Sequence, residues 1–351
     1  MKFAKNIRSH SIVRHGGPYS ISGYSSRVLD FSSNVNPFGY PDTVKLDLDK
    51  IPIYPDHDSA KLKQVLSRYV KIPKHNITIG NGATEIIYDF CRATTPNRVL
   101  IAAPTFGEYE AACMLCGARP KFFVTLNLQN DLGEFIQKIP KNGVVFVCNP
   151  NNPTGELLPK KSIISIIKAA KYKSSMVFVD ECFIELTQTP DQSVLDVVSK
   201  FDNLFVLRSL TKSFGLAGLR LGYGIGNKNL ISVLDKIKVP WSVNGLAHQA
   251  GIQVLSDKKF LLKTRKLIKT ESEFLLNSLS KLGLSCSDTK TNFILIKTKQ
   301  PAKALQKKLL QKNILIRDCS NFRGLDKHYI RIAIRARKEN KKLVSAFGAI
   351  Q

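Results

Sequence analysis

From about residue 75 the chain alternates short apolar runs with longer stretches in which apolar residues recur every three or four positions. The runs "VLIAAP", "KFFVTL", "VVFVC", "MVFVD", "LFVLRS" and "LGYGIG" have the pattern of strands buried on both faces. Between several of them lie helix-patterned stretches such as "PKKSIISIIKAAKY". Strand and helix in alternation predict an α/β domain with a mostly parallel central sheet. The last hundred residues read differently. A long helical stretch near 257–282 leads to strands "NFILIK", "NILIR" and "YIRIAI", with helices between and after, as in a smaller α+β domain. The first forty residues are rich in Gly, Ser, Pro and Asn and have little periodicity. They are expected to cross a surface or a subunit boundary. The expected divisions are an amino-terminal segment over 1–40 that packs with the small domain and the functional site, a large domain over 41–255, and a small domain over 256–351.

Composition refines this picture. The chain has 351 residues, 43% of them hydrophobic, enough for a sizeable core. The net charge of +26 raises nucleic acid as a partner. The lysines, however, are scattered. The runs "DKKFLLKTRKLIK" and "KALQKKLLQK" read as amphipathic helices with a wet basic face, so solvated surface is the favoured reading. A positive field of this kind also steers anionic small molecules inward. The opening "MKFAKNIRSH" lacks the apolar core of a signal peptide. No stretch approaches ~18 uninterrupted apolar residues, so no membrane span is expected. Seven cysteines, an odd number in apolar surroundings, suggest reduced thiols in a cytoplasm. Cys113 and Cys116 form a CxxC, but no second pair stands at zinc spacing and the context reads as a helix, so no metal site is expected.

Polar residues gather at the carboxyl ends of the strands, where open α/β sheets bind ligands. Asn149 to Gly155 follow "VVFVC", Asp180 ends "MVFVD", Ser209 and Lys212 follow "LFVLR", and Gly80 to Glu85 follow "ITI" and open a helix. "GNGATE" is either a phosphate cradle at a helix amino terminus or an ordinary turn with its N-cap. "NPNNPTG" alone is a tight proline-fixed loop. Asp180, at the end of an apolar strand, needs a cationic or hydrogen-bonding partner. In "RSLTKSFGLAGLRLGYGIG" two cations, Lys212 and Arg220, sit among small and apolar residues. They are either snorkelling surface side chains or a Schiff-base lysine and a phosphate-holding arginine.

Taken together, "NPNNPTG" and "SLTKSFGLAGLRLGY", in this order and spacing, resemble the pyridoxal-phosphate enzymes of the aspartate-aminotransferase fold (fold type I) over nearly the whole chain. The resemblance implies an α/β fold, a large domain that binds pyridoxal 5'-phosphate, and a smaller α+β domain. It implies that Lys212 joins the cofactor's aldehyde carbon and shuttles a proton, and that Asp180 keeps the ring nitrogen protonated. Asn152 would bond the ring's phenolic oxygen, and Phe106 would stack on the ring face. Ser209, Arg220 and the backbone near Ala83 and Thr84 would hold the cofactor phosphate. Tyr54, in "IYPD", resembles the tyrosine that family members reach across a dimer interface to that phosphate, which implies a homodimer with shared sites. One departure is Phe183 in "DECF", where many related aminotransferases carry tyrosine.

Two groups within that superfamily compete. "HGG" at 15–17, "LDFSSNVNPFG", "VPWSVNGLA", "ILIRDCSNFRGLD" and "YIRIAIR" resemble the L-threonine-O-3-phosphate decarboxylases of cobalamin biosynthesis, although Pro18 departs from their pattern. The other group is the histidinol-phosphate aminotransferases. A doubly anionic, phosphorylated amino acid suits arginine forks. By the resemblance, Arg331 matches the carboxylate-binding position, while Arg317 meets the substrate phosphate with His15 and Asn34. Arg335 shares the strand face of Arg331 and reads as a surface ion pair. Serine phosphate is a near alternative substrate. A regulator that contacts DNA would need an added helix-turn-helix, and nothing before residue 40 has that pattern.

Overall fold

The structure is a computed structural model that describes residues 7, 10, 12–21 and 27–350, so most of the opening decapeptide lies outside the described residues. A two-residue strand, β1 (Leu29–Asp30), precedes seven strands of one sheet: β2 (Ile77–Asn81), β3 (Val99–Ala103), β4 (Lys121–Val124), β5 (Val144–Cys148), β6 (Met176–Asp180), β7 (Leu204–Ser209) and β8 (Leu221–Ile225). Their order is β2-β8-β7-β6-β5-β3-β4. Strand β8 pairs antiparallel with β2 and β7, and the other pairings are parallel. Helices α1 (Ala60–Val70), α2 (Gly82–Thr94), α3 (Glu108–Leu115), α4 (Leu132–Lys138), α5 (Lys160–Tyr172), α6 (Leu210–Ser213), α7 (Lys228–Ile237) and α8 (Gly245–Val254) connect and cover it.

The strands are apolar throughout because both faces are covered. On one face Val145, Val147, Val177, Val179 and Val206 join Ile163, Ile166 and Ile167 of α5. On the other, Phe146, Phe178, Phe205 and Leu207 join Ile86, Ile87 and Phe90 of α2. The Phe90 ring lies 4.9 Å from that of Phe178 and 5.1 Å from that of Phe205, centroid to centroid. Each such buried ring contributes roughly 1.5–3 kcal/mol by leaving water. Residue alternation also places a polar network beside the valine face. Arg208 donates to Glu181 Oε2 at 2.9 Å and to Ser193 Oγ at 2.8 Å. The other Glu181 oxygen accepts the Val194 N–H at 2.8 Å.

The carboxyl-terminal third forms a four-stranded antiparallel sheet from β9 (Ser285–Cys286), β10 (Phe293–Lys297), β12 (Arg317–Asp318) and β13 (Tyr329–Ala333), in the order β12-β13-β10-β9. It packs with α9 (Lys258–Lys281), α10 (Ala302–Leu310) and α11 (Arg337–Gly348). Helix α9 buries Leu261, Ile268 and Leu275 at seven-residue spacing and leaves Lys258, Lys259, Lys263, Lys266 and Lys269 exposed. The run "NILIR" does not form one strand as its pattern predicts. Ile314–Leu315, strand β11, pairs in parallel with β1, whereas Arg317 and Asp318 pair with β13. The main chain changes partners at Ile316, because two different neighbours compete for one extended segment.

Cys116 caps the carboxyl end of α3, so "CMLC" is a helix end as its sequence suggests. All seven cysteines are free thiols. Among the described residues no helix is long and apolar enough to cross a membrane. Replacing Arg208 by leucine strands the Glu181 carboxylate in the interior. Denaturant unfolding followed by circular dichroism should then show a loss of ~3–5 kcal/mol; a loss below ~1 kcal/mol would mean that the pair is not a structural anchor.

Candidate active site

The carboxyl ends of β5, β6 and β7, the first turn of α2, and strands β12 and β13 surround a cavity of about 300 Å³. At its floor stands Asp180, 5% exposed at the end of β6. Its Oδ2 accepts from the Tyr109 hydroxyl at 2.6 Å, and its Oδ1 accepts from the Cys182 backbone N–H at 2.9 Å. Burial raises its pKa, while those bonds and the Lys212 charge oppose the rise. A carboxylate fixed in this way on two sides is rigid and is ready to take one more donor from the cavity.

Lys212 enters from α6, a single turn whose N-cap is Ser209. Its amine stands 5.9 Å from the centroid of the Phe183 ring. Enclosure in protein lowers its pKa to about 8, and the positive charges of Arg331 and Arg220 act in the same direction. At neutral pH this amine is far closer to its nucleophilic form than an exposed lysine is.

The first turn of α2 brings the backbone of Gly82, Ala83 and Thr84 to one side of the cavity, where the helix's unpaired N–H groups suit an anion. Gly82 has φ of +76°, and a Cβ there would lie 2.3 Å from Nη2 of Arg220, so only glycine lets the guanidinium approach. Arg220 itself takes left-handed φ of +57°, a strain of roughly 1 kcal/mol or more for a non-glycine residue. The buried Thr211 Oγ1 has no hydrogen-bond partner and belongs to the same cavity wall, next to Ser209. An orphaned hydroxyl, a glycine-lined helix terminus and a guanidinium make a donor set for phosphate. With a buried carboxylate and a neutral-prone amine alongside, these residues fit pyridoxal 5'-phosphate.

The rest of the cavity is lined by Arg317 and Arg331 of the small sheet, residues of the amino-terminal segment and Phe106. Arg331 is 6% exposed. It donates through Nη1 to Asn152 Oδ1 and through Nη2 to the Ser32 carbonyl at 2.8 Å, and its Nε has no partner. Burial lowers its pKa to about 10. With Oδ1 engaged, the amide N–H₂ is what Asn152 has left to offer a ligand. Arg317 donates through Nη2 to the Arg14 carbonyl at 2.7 Å and to Asn321 Oδ1 at 2.8 Å. His15, Asn34 and Phe106 line the same space, and the buried Asn34 Oδ1 is without a partner. The His15 and Phe106 ring centroids are 5.6 Å apart.

Of the residues singled out in the sequence, Lys212, Asp180, Asn152, Ser209, Arg220, Ala83, Thr84, Phe106, His15, Asn34, Arg317 and Arg331 all line this one cavity. Tyr54 does not. It is exposed and packs on Trp241, with ring centroids 5.2 Å apart. Arg335 pairs with Glu339 at 2.6 Å, the ion pair its pattern suggests. The sequence reading missed Tyr109, Thr211 and Glu108. Tyr109 lies three residues after Phe106 at the start of α3, a helical spacing that brings both to one side, and Thr211 is adjacent to Lys212.

The chain matches the family model described as "Aminotransferase class I and II" over residues 26–350. It is 40% identical, over 96% of its own length and 93% of the relative's, to a protein of Caldanaerobacter subterraneus subsp. tengcongensis named provisionally as a threonine-phosphate decarboxylase. It is 34% identical to the histidinol-phosphate aminotransferase of Methanosarcina mazei, over 97% of this chain and 92% of the relative. Its fold superposes on the crystal structure of the histidinol-phosphate aminotransferase from Clostridium acetobutylicum with a TM-score of 0.86 and 32% identity, covering 92% of this chain and 99% of that one. Similarity that runs from end to end, with the cradle, the carboxylate and the amine in one cavity, places the chain in the class I and II aminotransferase family of fold type I enzymes, whose cofactor is pyridoxal 5'-phosphate.

Proposed function

We propose that the protein decarboxylates L-threonine O-3-phosphate to (R)-1-aminopropan-2-yl phosphate and carbon dioxide, a step that serves cobalamin side-chain synthesis. One observation carries this reading. The cavity is lined by Lys212, Arg220, Arg317, Arg331 and His15, and by a single acid, Asp180. Once Arg220 is assigned to the cofactor phosphate and Lys212 to its aldehyde, two guanidiniums and an imidazole remain. Such a set suits a substrate with both a carboxylate and a phosphate. The 40% identical relative supports the same choice.

In this reading Ser209, Thr211, Arg220 and the amides of Ala83 and Thr84 hold the cofactor phosphate, joined by Tyr54 of the partner subunit. Asp180 faces the ring nitrogen, Asn152 the phenolic oxygen and Phe106 the ring face. The bound cofactor supplies an acceptor for the electron pair left when a bond to Cα breaks. Arg331 binds the substrate carboxylate and sets the direction of the Cα–carboxylate bond. Arg317, His15 and Asn34 hold the phosphate at the other end, so the substrate is fixed at two points. Tyr109 keeps Asp180 immobile. The Cα–carboxylate bond breaks, carbon dioxide leaves, and Lys212 returns a proton to Cα. Tyr54 packs on Trp241, and both are exposed, as are Ile51, Ile53 and Val239 close to them in sequence, which supports a homodimer with shared sites. The free thiols fit a reducing cytoplasm.

The second reading, a histidinol-phosphate-type aminotransferase, draws on the 34% identical relative and on the same site residues. The two differ in which bond at Cα is aligned for cleavage. Purified protein given threonine phosphate should release carbon dioxide in the absence of 2-oxoglutarate. Formation of glutamate from added 2-oxoglutarate, with threonine phosphate as the amino donor and without release of carbon dioxide, would favour the aminotransferase. Arg317→Ala should reduce kcat/KM for threonine phosphate by about two orders of magnitude, as expected for losing a charged anion contact. Decarboxylation of free threonine should change far less; equal losses would remove Arg317 from the phosphate. Recombination of the apoprotein with pyridoxal phosphate, followed by absorbance, should accelerate as pH rises through about 8, where Lys212 loses its proton, and then level off. A pH-independent rate, or normal recombination in Lys212→Ala, would contradict the role of this amine.

A further inference from the structure

The stretch from Arg14 to Gly17 is tied to both parts of the molecule. The Arg14 carbonyl accepts from Arg317 at 2.7 Å and from Asn321 Nδ2 at 3.0 Å, both near β12. The Gly17 N–H donates to Ser32 Oγ at 2.8 Å. Gly16 lies so close to the chain at Ser32 that a Cβ there would stand 2.8 Å from its carbonyl oxygen. Between these main-chain anchors the His15 ring reaches across to α3, where its Nε2 lies 2.5 Å from Glu108 Oε1. The other Glu108 oxygen accepts from the Tyr88 hydroxyl of α2 at 2.6 Å.

Glu108 does not line the cavity, whereas His15 does, so the imidazole stands between this carboxylate and the cavity. Burial acts to raise the Glu108 pKa, but the bonds from His15 and Tyr88 outweigh it and hold the group below the usual carboxylate value. An ionised carboxylate only accepts, so Nε2 is the donor in this contact. Glu108 thus fixes the ring and leaves Nδ1 as its remaining polar atom.

We infer that Glu108 is a positioning residue for phosphate recognition: together with Tyr88 it latches His15 across the gap between α3 and β12 and so completes, beside Arg317, the seat for the substrate's phosphate. The inference rests on the proposal that the substrate is phosphorylated. Fixing the ring before binding removes an ordering cost that would otherwise weaken the complex. Arg317 takes part twice, because the guanidinium that meets the phosphate also holds the main chain that carries His15.

The test uses the holoenzyme and its cofactor absorbance, titrated with O-phospho-L-threonine and L-threonine, with inorganic phosphate as a competitor. Glu108→Ala should weaken O-phospho-L-threonine and inorganic phosphate by roughly tenfold, the scale of one charge-assisted contact. L-threonine should change less than about twofold, and the rise should fall on KM with kcat little altered. Tyr88→Phe keeps the carboxylate and removes one of its anchors. It should show the same selective pattern at about two- to threefold, which guards against misfolding of the first variant. Equal weakening of threonine and phosphothreonine in both variants overturns the latch. So does an unchanged preference for phosphothreonine in a folded Glu108→Ala enzyme. A wild-type enzyme that binds phosphothreonine no better than threonine overturns instead the phosphorylated-substrate proposal on which the latch rests.

Discussion

The site turns on an uncompensated amine. Lys212 is enclosed by protein with Arg331 and Arg220 acting on it and with no carboxylate in contact, and its pKa falls to about 8 in consequence. A buried ammonium without a partner is costly, so the fold keeps this group ready to shed its proton. Asp180, the single acid of the cavity, is occupied by Tyr109 and Cys182 and does not neutralise the amine by direct contact. In the proposed role of Lys212, covalent capture of an aldehyde would remove the same cost.

The sheet makes that arrangement possible. Strands β5, β6 and β7 end side by side, so Asp180 at the end of β6 and Lys212 just after β7 line one cavity, each placed by a strand end. Alternation along the chain then separates two kinds of charge. Asp180 serves the cavity, while its neighbour Glu181 is consumed by Arg208, Ser193 and Val194 away from it. The second network is structural and keeps an adjacent carboxylate out of a cavity lined by Lys212, Arg220, Arg317 and Arg331.

Much of this was legible in the sequence, for physical reasons. Unbroken apolar runs such as "VVFVC" and "MVFVD" became β5 and β6 with the same limits, because a strand buried on both faces leaves no positional ambiguity. Lys212 and Asp180 stood out because charges beside such runs demand an explanation. Tyr109, Thr211 and Glu108 did not stand out, because each is an ordinary residue on a helical stretch until its partner is known. Glu108 meets His15 93 positions away, and no local pattern encodes that contact. The splitting of "NILIR" was equally hidden, since a segment shared by two sheets has the same apolar pattern as a single strand.

That shared segment ties together two distant parts of the described chain. Leu29 pairs with Ile314 and Asp30 with Leu315, and two residues later Arg317 reaches the cavity. A pairing between residues this far apart in sequence closes late, because its loop-closure entropy is large. During synthesis the large sheet can therefore assemble while the Arg317 wall of the cavity is still missing. The nascent protein can hold a folded cradle at the ends of the large sheet before the opposite wall of the cavity exists.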